Sequence, residues 1–97
     1  MPPYTIASQR AIQIGLSRRE QSVLLFLAEG YSTNHIANEL GISAGTVRSH
    51  IHSMERKVTA NGRVHLVLRA LEEEILIHEP PPDPPNSSLL SGTFLFT

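Results

Sequence analysis

Ser32 to Ile51 reads STNHIANELGISAGTVRSHI, two helical patterns separated only by Gly41-Ile42-Ser43. Ser32 can cap the first helix, and Ile36, Ala37 and Leu40 give it one apolar side. Gly41 can take the left-handed conformation that ends a helix, and Ser43 can cap the next one two residues later. So tight a break makes the two helices cross steeply, and it holds the second where a DNA major groove could receive it. Ile36, Ala37, Leu40, Ile42 and Val47 would hold that angle, with Ala37 small enough for close approach.

The neighbouring sequence extends the pattern to four helices. Ser17-Arg18-Arg19-Glu20 is a capping box, with hydroxyl and carboxylate each satisfying a free backbone N–H. Val23, Leu24 and Leu27 follow at helical spacing, and Gly30 stops this first helix. The second helix runs from about Thr33 to Leu40, with His35 where the partner of a full capping box would stand. The third spans about Ala44 to Lys57, with Val47, Ile51, Met54 and Val58 on one side. Its other side carries Arg48, Ser49, His52, Ser53, Glu55 and Arg56. After a loop at Thr59 to Gly62, a fourth helix from about Arg63 to His78 is unusually apolar. The expected architecture is all-α: a four-helix domain over 16–78 with non-helical tails. Residues 1–15 form an extended lead-in with at most one helical turn near Ser8 to Ile12. Residues 79–97 form a proline-rich linker and an apolar tail.

Composition narrows the function classes. Ninety-seven residues suit one small domain with tails. There is no cysteine, so disulfide frameworks, zinc fingers and thiol chemistry are excluded. Apolar runs such as Val23 to Ala28 are too short to cross a bilayer, and the N-terminus lacks a signal-peptide pattern. A cytoplasmic protein without membrane association is expected. The net charge of −1 hides an asymmetry. Residues 1–70 hold all eight Arg and Lys against four acids, a net of +4, whereas residues 71–97 hold five acids and no base.

A basic body with an outward-facing helix points to nucleic acid. Arg48, Ser49 and His52 lie within about one turn of each other, and an Arg there can bind guanine O6 and N7 with two hydrogen bonds. Ser43 and Thr46 stand at the N-terminus of the third helix, where free N–H groups and the helix dipole favour a phosphate. Arg18, Arg19, Arg56 and Lys57 would be flanking phosphate contacts, setting register without reading sequence. His50 falls near the buried side and suits packing better than base contact. No metal or cofactor is expected, because His50 and His52 face different ways on one helix. Glu20 is accounted for by its capping box. No nucleophile–base pair, phosphate loop or carboxylate pair suggests an enzyme.

Residue by residue, the segment resembles the DNA-binding domain of LuxR-type regulators, the family that includes the spore regulator GerE. The resemblance rests on Leu16-Ser17-Arg18-Arg19-Glu20, Val23-Leu24, Ala28-Glu29-Gly30, Ser32, Ile36-Ala37, Leu40, Ile42-Ser43, Thr46-Val47-Arg48, His50, Lys57 and Arg63. It covers roughly Leu16 to Ala70. It implies a four-helix domain, the third helix in the major groove, and base contacts from Arg48, Ser49 and His52. It also implies a two-fold dimer through the fourth helix, where Val64, Val67, Leu68, Leu71 and Ile75 exceed what one packed side needs. Thr59 departs from the pattern, standing where a Gly commonly ends the third helix.

The expected function is a stand-alone, sequence-specific transcriptional regulator that binds double-stranded DNA as a homodimer. The fifteen residues before the first helix are too few for a sensor domain. A sigma-factor region with a similar helix-turn-helix is a poorer fit to His50-Ile51 and the apolar fourth helix. The main rival is a small antagonist that joins a full-length regulator through the fourth helix and blocks it. A protein partner could also be held by the tail, where Leu89-Leu90 and Phe94-Leu95-Phe96 follow the prolines. That segment either docks on an apolar groove or is a disordered end.

Overall fold

The computed structural model describes residues 3–79. The expected linker and apolar tail beyond them, including Pro80 to Pro85 and the two Phe, lie outside the described residues. In chain order the elements are β1 (Tyr4–Ile6), α1 (Ser8–Ile14), α2 (Arg18–Ala28), α3 (Thr33–Leu40), α4 (Ala44–Val58), α5 (Arg63–Glu72) and β2 (Leu76–His78).

The helix boundaries follow local chemistry. Ser17 accepts from the Glu20 N–H at 3.1 Å while Glu20 Oε1 accepts from the Ser17 N–H at 2.8 Å, closing the capping box. Ser32 and Ser43 cap α3 and α4 by accepting from His35 and Thr46 N–H groups, each at 3.1 Å. Gly41 ends α3 at φ 66°, ψ 35°, the left-handed region a glycine enters without steric cost. Thr59 ends α4 in the same region, at φ 57°. A β-branched residue is strained there, roughly 1–2 kcal/mol against a glycine. Its neighbour Ala60 still bonds back to the Glu55 carbonyl at 2.8 Å.

Packing of α2, α3, α4 and α5 produces the core. Val23, Leu24, Ile36, Val47, Ile51, Met54, Val58, Leu66 and Ala70 meet inside it. Each is the apolar side expected of its helix. With α2, α3 and α5 supporting it from one side, α4 keeps its polar side outward.

Both ends of the described region, residues 3–79, differ from the sequence expectation. The lead-in is built into the fold: its extended part, β1, pairs antiparallel with β2, matching Tyr4 to His78 and Ile6 to Leu76, and the seven-residue α1 follows it. Ala7, at the capping position before α1, offers no side-chain cap, so the local signal of the helix is weak. Tertiary contacts supply what the cap does not: Ala11 is fully buried, and the Arg10 guanidinium reaches the Glu73 carbonyl and carboxylate, both at 2.9 Å.

The fourth predicted helix is shorter than expected, ending at Glu72 instead of His78. Glu74 turns left-handed at φ 60°, and the Ile75 N–H bonds back to the Ala70 carbonyl at 2.9 Å. That is the closing bond of a Schellman-type helix end. The reversal drives Ile75 and Leu76 under the core. Ile75 is 0% exposed and therefore cannot lie on a dimer interface, which corrects its expected role.

Candidate nucleic-acid interface

α4 separates its two sides cleanly. Val47, Ile51, Met54 and Val58 are buried, whereas Arg48, Ser49, His52 and Arg56 are exposed and His50 is half-buried between them. The three residues expected to read bases therefore share one exposed face. A Cβ placed on Gly45 would lie 3.9 Å from Arg48 Nη2 and 3.8 Å from Ser43 Oγ. The Arg48 guanidinium thus lies back over the first turn of α4, the direction helical side chains favour.

The same turn supplies polar groups for a phosphate. Ser43 Oγ and Thr46 Oγ1 are 2.9 Å apart, and both residues are exposed. Ser43 Oγ already accepts from the Thr46 N–H. If Thr46 donates its hydroxyl proton to Ser43, the Ser43 hydroxyl can point its own proton outward.

The cations divide into two sets. Arg10, Lys57 and Arg69 pair with Glu73, Glu20 and Glu72 or Glu73 respectively. Among the described residues Arg18, Arg19, Arg48, Arg56 and Arg63 have no carboxylate partner. All five are exposed and available to an external anion.

Lys57 is thereby corrected from phosphate contact to structural tie. Its Nζ donates to Glu20 Oε1 and to the Gly15 carbonyl, both at 2.8 Å. Glu20 is 3% exposed, so the capping box is only part of its role. Burial by itself pushes the Glu20 carboxyl up. Hydrogen bonds from Lys57, Ser53 and the Ser17 backbone, with the Lys57 charge, outweigh burial and hold the carboxyl below its ordinary value.

Two residues at this face were given no role from the sequence, Arg63 and Glu55. Arg63 opens α5 and lines a groove of about 260 Å³ with Arg48, Ile51, His52, Glu55 and Gly62. Its Nη2 donates to Thr33 Oγ1 at 2.7 Å. Glu55 lies behind His52, with its Oε1 3.1 Å from the ring Nδ1. The spacing of His52 and Glu55 on one helix was visible, but nothing local brings residue 63 beside residue 48.

A second groove, of about 390 Å³, runs between the end of α2 and the start of α5. It is lined by Leu27, Tyr31, Val64, Val67 and Leu68, among others. Val64 is 73% and Leu68 53% exposed, while Val67 and Leu71 are half-buried. No helix among the described residues is long and apolar enough to cross a membrane.

Comparison with known proteins agrees with this geometry. Residues 15–70 match the family model described as bacterial regulatory proteins, luxR family. The transcriptional regulatory protein DesR of Bacillus subtilis is 38% identical over 58 residues, covering 60% of this chain. The response regulator proteins VraR of Staphylococcus aureus and Staphylococcus saprophyticus are each 31% identical over 61 residues, covering 63% of it. In each case the match spans 29% of the relative's length.

Proposed function

Because this chain belongs to the luxR family of bacterial regulatory proteins, we propose that it is a sequence-specific DNA-binding transcription regulator acting as a homodimer. α4 enters the major groove, and Arg48, Ser49 and His52 read base edges. Ser43, Thr46, Arg18, Arg19 and Arg56 hold the phosphates on either side. The dimer forms about α5 through Val64, Val67, Leu68 and Leu71. The module binds its operator in the cytoplasm and on the nucleoid. Its role is binding, not catalysis.

The observation that carries this reading is the exposed face of α4, where Arg48, Ser49, His52 and Arg56 are exposed above a buried apolar side. An antagonist acting only through α5 has no need of such a face. Salt-dependent binding of the 97-residue chain to random duplex DNA, followed by selection of the bound sequences, tests it. A single selected motif with two symmetric half-sites is expected, and an unselected pool would overturn the reading.

Two substitutions separate base reading from phosphate contact. Arg48→Ala should cost about 1–3 kcal/mol at the selected site and much less on random DNA. Equal losses on both would make Arg48 a phosphate ligand. Arg56→Ala should weaken binding to all sequences and reduce the slope of log K against log salt by about one unit. An unchanged slope would remove Arg56 from the interface.

A further inference from the structure

We propose that Glu55 sets which hydrogen-bonding atom His52 turns toward DNA, so that the neutral ring reads an amino group of adenine or cytosine. This rests on the reading of α4 as the recognition helix and deepens it by assigning a specificity.

The inference begins with an atom count. His52 Nδ1 and Glu55 Oε1 are 3.1 Å apart. A carboxylate can only accept, so Nδ1 must carry the proton of a neutral imidazole. The other nitrogen, Nε2, is then bare and can only accept. In the major groove the base-edge donors are adenine N6 and cytosine N4, whereas guanine and thymine offer acceptors at O6, N7 and O4. A ring fixed in this tautomer therefore favours adenine or cytosine at its contact. A ring free to exchange its proton between nitrogens could suit either class.

Exposure sorts the two side chains into different roles. The His52 side chain is 68% exposed and that of Glu55 only 15%. Glu55 is thus too covered to be the reader itself, and a carboxylate at the front of the face would repel phosphates. It acts as a positioning residue behind the ring. The surroundings make the acceptor distinctive, because Arg48 from α4 and Arg63 from α5 line the same groove and can only donate. The groove offers two cationic donors for guanine or phosphate, and His52 Nε2 supplies an acceptor in front of the covered Glu55 carboxylate.

Sequence selection from random duplexes, with the full chain and its variants at mildly alkaline pH, tests this. The unaltered protein should enrich adenine or cytosine about three- to tenfold at one position per half-site, the worth of a single hydrogen bond. Glu55→Ala should lose that preference and keep the others, with its melting temperature unchanged. Glu55→Gln should retain it, because its carbonyl oxygen can still accept from Nδ1–H. His52→Ala should match Glu55→Ala, and the double variant should add nothing. Ring 15N chemical shifts of the free proteins give a readout independent of DNA, with the Nδ1–H form in the unaltered protein and a mixture in Glu55→Ala. An unaltered pool from Glu55→Ala, uniform loss at every position, or an Nε2–H ring in the unaltered protein would each overturn the inference alone. If the unaltered protein selects no motif, the DNA-reading role itself fails.

Discussion

Lys57→Met should destabilise the fold by about 3 kcal/mol at neutral pH and leave the salt dependence of DNA binding unchanged. Methionine keeps most of the apolar stem of Lys57 but removes the ammonium that Glu20 and the Gly15 carbonyl share. Losing one partner of a buried pair leaves an uncompensated charge, which typically costs about 3–5 kcal/mol. The lower end applies because the Lys57 side chain is 34% exposed, so water can reach part of the site. Ser17 and Ser53 would still serve Glu20.

The pH dependence distinguishes this cause from simple loss of packing. Folding lowers the Glu20 pKa, so its contribution is complete above the unfolded-state pKa and is lost as pH falls through the lowered folded value. In Lys57→Met burial acts with less opposition, and the carboxyl takes up its proton at higher pH. The stability gap between the two proteins should therefore narrow on acidification. Urea denaturation at neutral and acidic pH measures it. A gap that stays constant with pH would mean that Lys57 contributes packing alone. A smaller salt slope with unchanged stability would return Lys57 to the DNA interface.

Lys57 also shows where reading the sequence stopped. A capping box involves residues three apart, and a helix break involves adjacent ones, so Ser17-Glu20 and Gly41-Ile42-Ser43 are legible directly. The Lys57–Glu20 pair joins residues 37 apart, and charge counting cannot distinguish a cation tied inside from one facing outward. The same limit hid β1, whose paired residues on β2 lie 70 to 74 positions away. It also hid α1, which begins without a cap and relies on Ala11 burial and Arg10. α5 ran on in the sequence reading because no Gly or Pro marks its end; Glu74 makes the left-handed turn instead. Most of the candidate site lay on α4, whose periodicity separates Val47, Ile51 and Met54 from Arg48, Ser49 and His52. Arg63 reaches that site only through the packing of α5.

Leu68→Glu should yield a folded monomer whose affinity for paired half-sites falls by between about a hundredfold and ten-thousandfold, the range lost when two linked sites become independent. Ile75 and Leu76 fall beyond the shortened α5 and, like Leu66 within it, belong to the core, so none of the three adds to the apolar excess. What remains for a partner is Val64 and Leu68, which with half-buried Val67 line a groove of about 390 Å³, and half-buried Leu71 one turn further along α5. In a two-fold interface each side chain appears twice. Full burial of a leucine is worth about 1.5–3 kcal/mol, and with about half of each Leu68 still to be buried the two together give about 1.6–3.2 kcal/mol, roughly fifteen- to two-hundredfold in dimer affinity. A glutamate in each position adds the cost of burying two like charges. Because Leu68 is 53% exposed, the monomer's own core loses little, and its helical circular dichroism and melting temperature should stay near those of the parent. Sedimentation with and without operator DNA decides the matter. A parent that is monomeric at working concentration, yet binds paired half-sites as tightly as before when Leu68 is Glu, would eliminate α5 as the dimer face.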